Sequence, residues 1–380
     1  MSDCEHADNV HAKKITAKIL QLRIQNSGCI KLISLVIERV RHNINESMKA
    51  ITYTNYGSPD VLQLKEVEKP VAKDDEVLIR VQAAEATKAD VEMRSFKFAV
   101  KWFWLPLRIA FGLRKPKRQI LGGYFSGEVE SLGRDVTQFS VGDEVFGAAA
   151  LRLGAYGEYV ALPASYAIVA KPTNMSFAEA AAVPLGGLNA LHFMRLAEIQ
   201  PGDTVLINGA GGSIGAHAVQ IAKLMGAEVT VVDSTIKEAM LKRIGADHFI
   251  DYTQENFAVT GRSYDVIFDM VAGSSYSACI GILNPGGRYM SGNPRLSVMI
   301  RSIFTTRFTD KTARFAFAGE TKADLLTLKG MIEDGRIESI VDRVYPMEKA
   351  SDAHRRVETE QRMGAVVIAI GDRCVDLSTA

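Results

Sequence analysis

The chain has 380 residues, a net charge of +1, 47% hydrophobic and 23% charged residues. That balance fits a soluble globular protein with room for two cores and gives no global electrostatic case for nucleic acid. No apolar run reaches the ~18 residues that span a bilayer, and Cys4, Cys29, Cys279 and Cys374 lack disulfide or zinc-ribbon spacing, which suits a reducing, cytoplasmic setting.

Residues 1–47 stand apart. They hold two of the four cysteines and three of the seven histidines, with one short amphipathic stretch at 30–40, IKLISLVIERV. We read them as an appended extension outside the core. Asp3, Glu5 and Asp8 sit where a mitochondrial presequence avoids acids. From Met48 to Pro172 the runs are short and the punctuation dense. Strands are expected at 50–53, 61–67, 76–83, 126–132, 144–148 and 158–161, with turns at 57–59, 73–75, 133–135 and 141–143. This predicts an antiparallel, partly barrel-like domain. Ser176 and Glu179 then have capping-box spacing at a helix start.

From there the pattern alternates strand and helix, as in a doubly wound sheet. Strands are expected at 203–208, 228–233, 248–250, 266–270 and 287–290, and helices at 215–225, 237–244 and 275–283, with a turn at 284–287. The tail is mixed: helix at 322–334, strand near 340–344, helix at 347–358 and a last strand at 365–370. The expected organisation is a cofactor domain over 174–317, inserted between 48–173 and 318–380.

The most informative stretch is VLINGAGGSIG at 205–215. A short apolar strand runs into Gly209, Ala210, Gly211, Gly212, Ser213, Ile214 and Gly215, and then into an apolar helix face. Glycines permit the tight turn and the close approach of a pyrophosphate, and the helix N-terminus offers free N–H groups and partial positive charge. A second strand, EVTVVD, ends in Asp233, 18 residues beyond Gly215. An acid about 20 residues beyond the glycines completes a dinucleotide-binding βαβ unit.

Several stretches together carry a family likeness: GEVESLG at 127–133, VGDEVFG at 141–147, AAAVP at 180–184, the glycine turn, LKRIGADH at 241–248, IDY at 250–252 and LNPGG at 283–287. From Met48 to about Gly371 the chain resembles the medium-chain dehydrogenase/reductase superfamily, in its zinc-free, quinone oxidoreductase-like branch. The resemblance implies an α/β fold in which a Rossmann doubly wound parallel sheet is inserted into a GroES-like, mostly antiparallel β catalytic domain. It also implies an NAD(P)H hydride donor and a homodimer, with Arg314 to Ala318 as the segment for edge-to-edge pairing.

Residue types bear on metal. Catalytic and structural zinc sites of related alcohol dehydrogenases need Cys, His and acidic ligands. No cysteine lies between Cys29 and Cys279, and no histidine between His42 and His192. No metal site is expected, and an electrophilic acceptor such as a quinone or enone is favoured over an alcohol. The cofactor signals conflict. Asp233 suits the ribose hydroxyls of NAD(H). By resemblance, Ser234, Lys237 and Tyr252 fall where a 2′-phosphate is held. Ser234 equally serves as a helix cap, Lys237 as a solvated lysine and Tyr252 as packing. The expectation is NADP(H), with NAD(H) tolerated.

By resemblance the nicotinamide lies near Thr87 to Asp90, Asn189, Ser291 and Gly292. Threonine is common in the family where this chain has Asn189. Asp90 is the side-chain candidate for the proton donor, with water as the alternative source and a turn or cap as its structural role. Residues 96–118, FKFAVKWFWLPLRIAFGLRKPKR, hold both tryptophans and no acid. Three roles stay open for them: a lid over an apolar acceptor, a peripheral membrane contact, or packing. The main expectation is therefore a reductase of small apolar quinones or α,β-unsaturated carbonyls. The alternative is a non-catalytic, nucleotide-binding protein that meets a membrane or partner through 96–118.

Overall fold

The computed structural model describes residues 47–98, 104–292, 295–316 and 319–374. Residues 1–46 of the extension expected at 1–47, Trp102, and Phe317 and Ala318 of the expected pairing segment lie outside them. β1 (Ser47–Thr52) and β2 (Gln63–Glu68) pair as a two-stranded sheet. The long strand β3 (Glu76–Ala86) organises the first large sheet. It is apolar enough to be buried over almost its whole length. After α1 (Lys88–Ser95) and α2 (Trp104–Phe111) come β4 (Tyr124–Leu132), β5 (Glu144–Ala148), β6 (Tyr159–Pro163) and β7 (Ile168–Ala170). β4 lies antiparallel along one edge of β3, while β6 pairs with residues 76–80 on the other.

The chain then builds a second sheet. α3 (Phe177–Ala181) starts at the Ser176/Glu179 capping box, as the spacing predicts, and α4 (Val183–Leu196) follows. Next come β8 (Thr204–Asn208), α5 (Ser213–Leu224), β9 (Glu228–Asp233), α6 (Glu238–Arg243), β10 (His248–Asp251), β11 (Tyr264–Asp269), α7 (Tyr276–Gly281), β12 (Leu283–Ser291), α8 (Leu296–Phe308) and β13 (Thr312–Phe315). All six strands are parallel, in the order β10-β9-β8-β11-β12-β13. The order reverses between β8 and β11. Crevices at such switch points, outside the carboxyl ends of the strands, are where open α/β sheets bind ligands.

The tail returns through α9 (Lys322–Glu333) to β14 (Val341–Pro346), α10 (Ala350–Glu358) and β15 (Ala365–Ala369). β15 pairs antiparallel with residues 83–86 of β3, and β14 parallel with β15. The first large sheet thus has seven strands, contributed from both sides of the parallel sheet in sequence. One apolar core lies around Phe125, Val145 and Ile368; another, around Val205, Val231 and Phe268, also takes in Phe146 and Val169 of the first large sheet.

Several details differ from the sequence reading, among them helix α1, which no expected element covers. β7 is only three residues long, too short for a periodic signal. The stretch at 284–287 is an irregular start of β12 rather than a separate turn, with the register against β11 shifting between Tyr264 and Val266. Helix α8 was not foreseen; its N-cap residue, Arg295, makes no capping hydrogen bond.

Candidate functional site

The glycine turn sits at the switch point. Gly209 follows β8 with φ +84, a conformation that side chains rarely adopt. A Cβ on Gly215 would stand 2.4 Å from the Ala210 carbonyl oxygen, so the first turn of α5 lies directly on the loop. A Cβ on Gly211 would stand 2.2 Å from Lys237 Cδ and 2.8 Å from Asp233 Oδ2. Gly212 is the N-cap of α5 and supplies no side chain to the helix's first N–H groups. Those groups are left for an anion. Gly364 N donates to the Gly211 carbonyl at 2.8 Å and braces the loop from the other sheet.

At the end of β9 the structure brings together the predicted cofactor residues. Asp233 Oδ2 accepts from Gly211 N at 2.7 Å, and Oδ1 accepts from Ser234 N at 2.8 Å. Lys237 Nζ pairs with Asp233 Oδ1 at 2.9 Å and donates to the Glu360 carbonyl at 2.9 Å. Asp233 and Lys237 are both buried, so the acid is neutralised within the site. Tyr252 N donates to the Asp233 carbonyl at 3.3 Å, and the Tyr252 side chain is 61% exposed beside them.

Where the resemblance places the nicotinamide, Ser291 is buried at the end of β12. Gly292 N donates to the Asp269 carbonyl at 3.2 Å, and Phe193 of α4 closes on Gly292. Asn189 lies one helical turn before Phe193, and its amide donates back to the Leu185 carbonyl at 2.9 Å. Asp90 is the third residue of α1 and forms a capping box with Thr87. Its Oδ2 accepts from Thr87 N at 3.0 Å and Thr87 Oγ1 at 2.6 Å; Oδ1 accepts from Gly122 N at 3.0 Å. Burial raises its pKa against the pull of these donors. Behind it lies a buried polar layer in which the Tyr156 hydroxyl meets His354 Nε2 at 3.1 Å. Burial lowers the His354 pKa to about 3, so that ring is neutral.

Four further polar groups meet here that the sequence did not single out. Glu85 on β3 is fully buried next to the Ser213 hydroxyl, and burial raises its pKa to about 8. The Arg362 guanidinium faces Gly212. The Tyr124 hydroxyl donates to Glu320 Oε1 at 2.7 Å, and burial raises the Glu320 pKa. Glu85 lies in a strand that also holds Glu76, Arg80 and Gln82, so its type did not stand out there. Arg362 and Glu320 carried no signal either, because they reach the site from loops.

A dinucleotide fits these residues. Side-chain-free glycines form a cradle, and the Ser213 hydroxyl and Glu85 Oε2 are buried and short of hydrogen-bond partners among the described residues. Among those residues no three of His, Cys, Asp and Glu cluster as metal ligands, and no helix is long and apolar enough to cross a membrane.

Residues 73–173 match the alcohol dehydrogenase GroES-like domain family, and residues 244–368 match a family described as zinc-binding dehydrogenase. The chain is 33% identical to a 2-methylene-furan-3-one reductase of Solanum lycopersicum, across 86% of this chain and 80% of that protein. It is 28% identical to the NADPH-dependent alkenal/one oxidoreductase, chloroplastic, of Arabidopsis thaliana, across 93% and 87%. Its fold is similar to the quinone oxidoreductase from Coxiella burnetii, with a TM-score of 0.76 at 30% identity, covering 86% of this chain and 100% of that one.

Proposed function

This chain belongs to the medium-chain dehydrogenase/reductase family, in its quinone oxidoreductase-like branch, and on that footing we propose an NADPH-dependent, zinc-independent reductase of quinones or α,β-unsaturated carbonyls. The observation that carries it is the glycine cradle at the switch point, with Asp233, Ser234 and Lys237 gathered at its rim. When bound, the nicotinamide supplies the hydride. The residues of this chain hold and orient it: 209–215 and the first turn of α5 hold the pyrophosphate, and Asn189, Ser291 and Gly292 border the nicotinamide. Zinc independence is supported by the residue types near the site, which offer threonine, aspartate and tyrosine but no cysteine.

NADPH is preferred in this reading, with NADH accepted. Lys237 cancels the Asp233 charge that otherwise repels a 2′-phosphate, and exposed Tyr252 and Ser234 stand beside the pair. We assign Asp90 a positioning role: its carboxyl fixes Thr87 and Gly122, and the proton that completes reduction comes from water. The full chain is expected to oxidise NADPH rapidly with a naphthoquinone or an alkenal, and more slowly with NADH. Absence of turnover with every apolar acceptor, despite cofactor binding, refutes the reductase.

We propose a cytoplasmic homodimer that pairs through the edge strand β13. A second reading concerns the stretch at 96–118. Leu105, Ile109 and Leu113 are 57%, 58% and 62% exposed, beside exposed Arg114, Lys115, Lys117 and Arg118. From 93 to 127 the sequence has eight bases and no acid. Apolar and basic groups on one surface favour contact with an anionic bilayer, where lipophilic acceptors concentrate. Co-sedimentation with phosphatidylserine vesicles at low salt, lost in L105D/I109D, is the expected result. No sedimentation by the wild type ends that reading.

A further inference from the structure

Among the described residues the Glu85 carboxyl is left short of partners, with only the Ser213 hydroxyl beside it as a hydrogen-bonding group. It lies within β3, opposite Val367 of β15, and its side chain is 2% exposed. Its Oε2 has no partner among the described residues. An unmade hydrogen bond on a buried polar group carries the full cost of its desolvation. The Ser213 hydroxyl next to it is buried too, and among the described residues its one polar contact is with this carboxyl. Ser213 opens α5, the twelve-residue helix that follows the glycine turn. Two polar side chains short of partners, one from each large sheet's side of the molecule, therefore converge on a helix N-terminus already built for an anion.

We propose that Glu85 is part of the cofactor site: its carboxyl, with the Ser213 hydroxyl, hydrogen-bonds the bound dinucleotide beside the first turn of α5. This rests on the oxidoreductase reading above. The charge state of Glu85 then matters. An ionised carboxylate repels the pyrophosphate, whereas the neutral acid donates a hydrogen bond to it. Burial keeps Glu85 neutral up to about pH 8. Two charged groups face it: Arg362, which favours ionisation, and Asp90, which opposes it. Tyr124 and Tyr156 also lie within electrostatic reach, and burial holds both neutral. Cofactor binding thus requires Glu85 to carry its proton.

The test is a fluorescence titration of the full chain with NADPH and with NADH, from pH 7 to above pH 9. Wild-type affinity is expected to be level to about pH 8 and then to fall roughly tenfold per pH unit. E85Q, which keeps a donor and cannot ionise, is expected to match the neutral-pH affinity of the wild type and to stay level. E85L, which lacks the donor, is expected to bind about tenfold more weakly at every pH, as loss of one hydrogen bond implies. Identical pH curves for wild type and E85Q overturn the inference while leaving the reductase intact. Wild type that binds neither nucleotide at any pH overturns both.

Discussion

Asp233 shows how one residue's setting changes the meaning of its type. An acid at the end of the second strand ordinarily selects NAD by holding the ribose hydroxyls. Here its two oxygens are taken by Gly211 N, Ser234 N and the Lys237 ammonium. Replacing the carboxylate with an amide keeps one acceptor, for Gly211 N, turns an N–H toward Ser234 N and frees Lys237 for a phosphate. D233N is expected to raise the NADPH-to-NADH affinity ratio about tenfold, the equivalent of about 1.4 kcal/mol. Direct titration of both nucleotides checks it, and a ratio that falls or stays constant counts against phosphate recognition by Lys237. The glycines and Asp233 were legible because a βαβ unit keeps them within one short stretch of chain. The pairing of Asp233 with Lys237 was not, because it bridges a strand end and the following 3-10 turn, and the sequence does not say that the two side chains turn inward together. Glu85, Arg362 and Glu320 reach the site from three segments far apart in sequence, and only the fold brings them together.

Among the elements, α1 shows a cap and a catalytic candidate occupying the same position. Four donors converge on the Asp90 carboxyl: two from Thr87, Gly122 N and the Tyr156 hydroxyl. An amide can accept at one end only, so D90N turns an N–H toward a donor. A loss of about 2 kcal/mol of stability is expected, visible as a lower Tm. Turnover per folded molecule is expected to stay within about threefold, because water remains the proton source. A hundredfold or greater fall in kcat at unchanged Tm is the signature of lost proton transfer and would identify Asp90 as the acid. Elements with strong local signals were legible: β5, β9 and the capped α3 follow their patterns closely. Helix α8 was not, because its apolar residues do not form one inward stripe. Ile303, Phe304 and Phe308 are largely exposed, and the helix lacks a capping side chain.

At the scale of the whole molecule, the fold sets two groups of acids against each other. Glu85, Asp90, Asp269 and Glu320 have raised pKa values, each chiefly because burial penalises the charge. Asp342 is partly buried, but its bond pair to Arg356, at 2.8 Å for each oxygen, prevails and lowers its pKa. The Lys223 ion pair likewise prevails at Asp247. A raised folded-state pKa means that the native state binds the proton more tightly than the unfolded chain, so the contribution is complete at low pH and is lost as pH rises through the folded value. For Glu85 that loss runs from near 4.5, its ordinary value, to about 8. Its slope is at most about 1.4 kcal/mol per pH unit. The lowered acids act in the opposite sense, and their contribution fades as pH falls below the ordinary aspartate range. Stability is therefore expected to peak in weak acid and to decline towards pH 8. In E85Q the neutral side chain is permanent, so that decline should be shallower and the variant should gain on the wild type with each step towards alkaline pH. Thermal unfolding of both proteins across this range decides the matter: curves that stay parallel would mean that Glu85 is already ionised in the folded protein, with water or a neighbouring cation compensating it.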